Sequence, residues 1–146
     1  GIYGMIGGQV VDVESEGQAL SREKLDFIYR LKTSALIESS MMIGAVLAGA
    51  SNEDVRKIEQ VANDVGLAFQ IQDDILDVTS TLEVLGKPIN SDDKNHKTTY
   101  VTLEGLEKAR NDVEAISRRA LDTLASLEYG NPFLEELITM LITREK

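Results

Sequence analysis

The 146-residue sequence contains no cysteine and no tryptophan, one histidine and two prolines, and only 5% of it is aromatic. Without cysteine there is no disulfide, no thiolate zinc site and no cysteine nucleophile. His96 alone gives zinc no ligand set. No run of about 18 apolar residues occurs, and the N-terminus has neither the charged nor the apolar region of a signal peptide. No membrane partner is therefore expected, and the cytoplasm is the default compartment. Positive charge is also scarce. Fifteen Lys and Arg face 25 Asp and Glu, a net charge of −10, which argues against a nucleic-acid partner and leaves cations or charge-compensated substrates open. Gly7 and Gly8 are not followed by a Gly-Lys-Ser/Thr sequence, so a nucleotide-binding P-loop has no support.

What is present is 42% hydrophobic residues, enough for one domain with a real core. Helical periodicity dominates and strand alternation is nearly absent, so the fold class is all-α. A short first helix is expected over residues 2–14. Ser21 is placed to cap a long helix that runs through Ala48 and stops at Gly49. Ser51 and Asp54 fit a capping box that opens a helix to about Thr79. Residues 80–99, with Gly86, Pro88 and a cluster of charges, read as a long functional loop. A helix over about 102–127 and a last one opened by Asn131 and Pro132 complete the chain. The opening, GIYGMIGGQVVD, lacks Met at position 1 and looks like the middle of a packed element; the sequence reads as starting partway through a larger protein.

The segment FQIQDDILD, residues 69–77, concentrates Asp73, Asp74 and Asp77 among apolar neighbours. On a helical wheel Asn63, Gly66, Gln70, Asp73, Asp74 and Asp77 fall within an arc of about 100°. Between Glu59 and Glu83 the acids are all aspartate and no Lys or Arg interrupts them. Like charges one turn apart destabilise a bare helix by a few tenths of a kcal/mol per pair. A divalent cation reverses that sign. Hard oxygen ligands on one helix face suit Mg²⁺, which is typically held by one or two carboxylates together with substrate phosphates.

Four segments in order, and the basic tail after them, then resemble the trans-polyprenyl diphosphate synthases, the family of geranyl, farnesyl and geranylgeranyl diphosphate synthases. FQIQDDILD is similar to that family's second aspartate-rich motif, GGQVVD (7–12) to its Gly-Gly-Gln segment, and RLKTSALIESS (30–40) to its Lys-Thr helix. LGKPINSDDKNHKTTYVTLEGLEKA (85–109) is similar to its Gly-Lys loop and the helix after it, and ITREK to its basic tail. The resemblance implies a partial helical bundle of the isoprenoid-synthase type, spanning residues 1–146 as the C-terminal part of one synthase domain. It also implies a Mg²⁺-dependent condensation of an allylic diphosphate with isopentenyl diphosphate, in a protein that is usually a homodimer. On the same footing Asp73, Asp74 and Asp77 would hold Mg²⁺. Lys32, Thr33, Gln70, Lys87 and Lys97 would bind the diphosphate, with Lys32, Thr33 and Lys97 counted as catalytic, and Gln9 and Asp12 would face the cavity.

The family's first aspartate-rich motif and its more upstream basic residues are absent from these 146 residues. Asp92 and Asp93 lie at the family's loop position and do not replace that motif, so the fragment alone is expected to be inactive. Two rival readings remain. A non-catalytic helical subunit would explain the missing motif but not the retained lysines and aspartates. A class I terpene cyclase would mix Asn or Asp, Ser and Glu in its second metal motif.

Overall fold

The computed structural model describes the backbone of residues 1–85 and 98–143, and every regular element among them is helical. In chain order these are α1 (Met5–Glu14), α2 (Arg22–Tyr29), a π-helical turn (Arg30–Ser34), α3 (Ala35–Leu47), α4 (Asn52–Leu85), α5 (Tyr100–Glu104), α6 (Leu106–Ala125) and α7 (Pro132–Thr143). The expected all-α class holds. Among the described residues no helix is long and apolar enough to cross a membrane.

The local punctuation acts as the sequence suggested. Ser21 adopts extended backbone, and its side chain accepts from the Lys24 amide. Ser51 Oγ accepts from the Asp54 amide at 3.1 Å and donates to the Asp54 carboxylate at 3.0 Å. Asn131 Oδ1 accepts from the Leu134 amide at 3.0 Å. Gly49 takes φ +80°, the left-handed conformation that ends α3 at little cost only for glycine.

Three boundaries differ from expectation. The first helix starts at Met5, not at residue 2. α4 continues to Leu85, because TSTLEVL contains no breaker and Gly86 is the first residue that could end it. The single helix expected over 102–127 is two helices, α5 and α6, divided at Gly105 with φ +86°. Thr99 caps α5 through a capping box with Thr102, a signal that a loop extended to residue 99 concealed.

α4 is the central element, packed on α3, α6 and α7. Its buried face is Ile58, Val61, Ala62, Val65, Ala68, Ile71 and Ile75. The spacing of these residues follows the 3.6-residue helical period. Opposite them lie Leu25, Ile28 and Tyr29 of α2, Ala109, Val113, Ala120 and Leu124 of α6, and Ile138 and Ile142 of α7. Asp64 is also buried on α4, 6% exposed, and Arg119 of α6 neutralises it through Nε at 2.8 Å and Nη2 at 2.6 Å. This fork joins the two helices at the edge of the core, with Asp64 inside it and the Arg119 side chain more than half exposed.

Candidate functional site

Lys32 and Thr33 lie inside the π-helical turn, not on a regular α-helix. The Ala35 amide closes on the Arg30 carbonyl five residues back, and Ser34 Oγ donates to the Tyr29 carbonyl at 3.4 Å. One extra residue in the turn rotates α3 away from the face that a regular helix would present, and such turns recur at functional sites. Two glycines hold this turn from opposite elements. A Cβ added at Gly8 of α1 would stand 2.5 Å from the Lys32 amide nitrogen and 2.8 Å from Leu31 Cβ. One added at Gly66 of α4 would stand 2.2 Å from Ser34 Oγ and 2.7 Å from Ser34 Cβ. Gly66 therefore belongs to a backbone contact, although the wheel placed it in the polar arc.

From the turn, Lys32 Nζ reaches Asp12 Oδ2 of α1 at 2.6 Å, with the two side chains 33% and 11% exposed. This pair brings together two residues the sequence singled out. Gln9, one turn earlier, is exposed and joins Asp12, Leu20 and Thr98 around a cavity of about 130 Å³. On α4, Gln70, Asp73 and Asp74 are half-buried and Asp77 is exposed. The aspartates thus occupy the border between core and solvent, as a narrow polar stripe requires.

Asp74 ties the stripe to two other elements. Its Oδ2 accepts from the Tyr29 hydroxyl, and from the Tyr100 amide at 2.8 Å. Tyr29 closes α2 immediately before the π turn, and Tyr100 opens α5. Burial, reinforced by the Asp74 carboxylate, pushes the Tyr29 hydroxyl well above its ordinary pKa. That phenol stays protonated and acts as a donor. Tyr100 is braced in turn. Its hydroxyl donates to Asp112 at 2.6 Å and accepts from Arg22 at 3.2 Å, while the Arg22 guanidinium lies 4.3 Å from its ring centre. Arg22 also binds Asp26 at 2.9 Å and Glu104 at 2.6 Å. The Leu20 amide donates to Thr98 Oγ1 at 2.9 Å, which fixes the chain just ahead of α5. Sequence reasoning missed Tyr29 and Tyr100, because pairs 45 and 26 residues apart leave no periodic trace.

Lys87 and Lys97 lie outside the described residues, as do Asp92, Asp93 and His96. Among the described residues no three His, Cys, Asp or Glu side chains converge into a self-sufficient metal cage. The donor set on α4, hard carboxylate oxygens one turn apart on a half-open face, fits Mg²⁺ shared with a phosphate ligand. An apolar groove of about 670 Å³, lined by Met41, Ala45, Ile58 and Leu134 among others, opens near the N-terminal end of α4. At 1.5 Å per residue it is about 20 Å from the aspartates.

Comparison with known proteins supplies an independent reading. Residues 1–128 match the family model described as Polyprenyl synthetase. The chain is 44% identical over 129 residues to geranylgeranyl pyrophosphate synthase, chloroplastic, of Capsicum annuum, covering 88% of this chain and 35% of that protein. It is 35% identical over 145 residues to farnesyl diphosphate synthase of Bacillus subtilis, covering 99% of this chain and 49% of that protein. Among solved structures, geranyltransferase of Helicobacter pylori complexed with magnesium and isoprenyl diphosphate superposes with a TM-score of 0.73 at 36% identity, over 97% of this chain and 46% of that one. The chain thus spans between about a third and a half of these relatives. On the family match and the shared all-helical fold, the chain belongs to the polyprenyl synthetase family.

Proposed function

We propose that these residues form the C-terminal part of a prenyl diphosphate synthase domain, one that condenses an allylic diphosphate with isopentenyl diphosphate. The observation that carries this reading is the packing of the Lys32–Thr33 π turn between Gly8 of α1 and Gly66 of α4, the helix that carries the aspartate stripe. The turn carries Lys32 in its ion pair with Asp12 of α1, and Tyr29, the residue just before it, bonds to Asp74 of the stripe. The Helicobacter pylori relative, solved with magnesium and isoprenyl diphosphate, supports the same chemistry. In the reaction the allylic carbon–oxygen bond breaks and diphosphate departs. The isopentenyl double bond then forms the new carbon–carbon bond, and a proton is lost. Mg²⁺, when bound, supplies positive charge to the departing diphosphate.

On this reading Asp73 and Asp77 hold the metal against the diphosphate, and Gln70 bonds to that group or to the metal's waters. Lys32 and Thr33 approach it from the π turn, while Lys87 and Lys97 reach it from the segment after α4. Gln9 and Asp12 face the cavity from α1, with Asp12 orienting Lys32. The 146 residues alone are inactive, since they hold one aspartate-rich motif. The working unit is a homodimer, with the cytoplasm as its default location, although the Capsicum annuum relative is chloroplastic. The test is Mg²⁺-dependent binding of an inert allylic diphosphate analogue to the full-length protein. Asp73→Ala or Lys32→Ala is expected to weaken binding by about tenfold or more, as loss of a charge-assisted hydrogen bond predicts. Binding untouched by both would overturn the assignment.

A further inference from the structure

Three aspartates share the α4 stripe, and Asp74 among them is held by groups of two other helices. The two donors on its Oδ2, the Tyr29 hydroxyl and the Tyr100 amide, belong to residues only 7% and 2% exposed. Two hydrogen bonds occupy the lone pairs of that oxygen, and both pull it inward between α2 and α5. The Tyr29 hydroxyl also lies 3.3 Å from the Tyr100 amide, so the three groups form one compact junction. Tyr100 does not depend on Asp74 alone for its place, because Arg22 and Asp112 hold its ring from the other end.

We infer that Asp74 is a positioning residue: through Oδ2 its carboxylate ties α4 to the residue before the π turn and to the first residue of α5. Resting on the proposed function, this junction sets the distance between Lys32 and Thr33 on one side and Asp73 and Asp77 on the other. Tyr29 is the mechanical link. It is followed directly by Arg30–Ser34, so a shift of its ring relative to α4 displaces the whole turn. Gly66 permits the close approach of turn and helix, and the Tyr29–Asp74 bond fixes their register along the helix axis. A π turn is rare except as a single-turn insertion in an α-helix, and the Tyr29–Asp74 bond is an external tie that holds it in one register.

The test uses the full-length protein, with two readouts: steady-state turnover at saturating Mg²⁺, and the Mg²⁺ concentration that half-saturates binding of an inert allylic diphosphate analogue. Asp73→Asn is expected to raise that concentration by about tenfold or more. Asp74→Asn, which keeps an acceptor oxygen for Tyr29 and Tyr100, is expected to move it by less than about twofold and to retain most of the turnover. Asp74→Ala removes the junction and is expected to lower turnover by about 10²-fold, the cost of misplacing catalytic groups by about 1 Å. Tyr29→Phe, which deletes one donor without changing charge, is expected to lower turnover less, with the Mg²⁺ requirement unaltered. Rescue by Asn relative to Ala is the signature of an acceptor that positions. If Asp74→Asn raises the Mg²⁺ requirement as far as Asp73→Asn does, Asp74 is a ligand and the inference falls. Wild-type turnover in both Asp74→Ala and Tyr29→Phe would also overturn it. A Mg²⁺ requirement unmoved by Asp73→Asn would sink the magnesium reading itself, and the inference with it. Should Asp74→Ala fail to fold, Asp74→Asn and Tyr29→Phe still decide between ligand and positioner.

Discussion

Asp64 and Asp74 stand on the same helix among apolar neighbours, yet they are handled in opposite ways. Asp64 is buried and receives the two-pronged guanidinium of Arg119, which reaches in from solvent, at 2.6 and 2.8 Å, so a full positive charge cancels its own at the edge of the core. At Asp74 the two donors on Oδ2, a phenol and an amide, are neutral. The first arrangement joins α4 to α6. The second orients a carboxylate at the edge of the stripe through donors that bring no charge of their own. A helix can therefore keep acids for two purposes, and the nature of the donor, more than burial, tells them apart. Where the donor is a guanidinium the acid closes a structural contact; where the donors are a phenol and an amide, they fix the orientation of the carboxylate oxygen they share.

The steepest way to break this comparison is to separate the two halves of the site. Gly66→Ala puts a methyl group 2.2 Å from Ser34 Oγ and 2.8 Å from Ser34 Cα. Because the last of these is backbone, side-chain rotation does not relieve the clash. Thermal or urea denaturation of the full-length protein is expected to show a loss of about 3 kcal/mol, with weaker binding of the allylic analogue. A variant as stable as the parent would mean that turn and helix are free to part.

Removing the cation from the structural pair comes next. Arg119→Met leaves the Asp64 carboxylate buried without its guanidinium, and is expected to cost about 1–2 kcal/mol in urea denaturation, because Arg119 is itself more than half exposed and solvent screens the pair. Adding Asp64→Asn to Arg119→Met removes the stranded charge, and should recover part of the loss. No recovery in the double variant would show that Arg119 stabilises through its aliphatic stem alone.

Lys32 gives the contrasting case. Its bond to Asp12 is as short as that of Arg119 to Asp64, 2.6 Å in each, and Arg119 is the more exposed cation, 56% against 33%, so what sets Lys32 apart is its place in the proposed site and not its burial. Lys32→Met is expected to change stability by less than about 1 kcal/mol, while binding of the allylic analogue falls by about tenfold, as for Lys32→Ala. A large stability loss with unchanged binding would assign Lys32 to the same structural class as Arg119.

How far the sequence could be read depends on the range of each interaction. Caps and stops were legible because Ser21, Gly49, Ser51 and Asn131 act within three or four residues of themselves. The aspartate stripe was legible because it repeats with the helical period. The π turn was not, since RLKTS has ordinary helix-forming residues and its extra residue is imposed by packing against Gly8 and Gly66. Nor was the division of labour among the aspartates. A wheel records which residues share a face of one helix, and it contains neither Tyr29 nor Arg119, which approach from other helices. The break at Gly105 was readable in principle: a glycine inside a helical pattern costs about 1 kcal/mol relative to alanine, and Thr99 stands where a cap would.

The smallest effect sharpens the comparison from outside the core, where a carboxylate braces Tyr100. Lys108 at 2.5 Å and the Tyr100 hydroxyl at 2.6 Å hold the Asp112 carboxyl below its ordinary pKa, in that order of weight. A carboxylate whose pKa is depressed in the folded state stabilises the fold above its unfolded pKa, and that contribution disappears as pH falls through the folded value. The window lies at and below the ordinary aspartate value of 3.8. Asp112 is partly exposed, so solvent screens the effect and the shift of the acid-denaturation midpoint should be small. Asp112→Asn is expected to flatten that acid limb slightly while leaving stability near neutrality almost unchanged. If the Tyr100 amide holds its place by Asp74 and Arg22, its hydrogen-exchange protection survives in Asp112→Asn. Loss of that protection would instead make the outer carboxylate, and not the junction on α4, the anchor of α5.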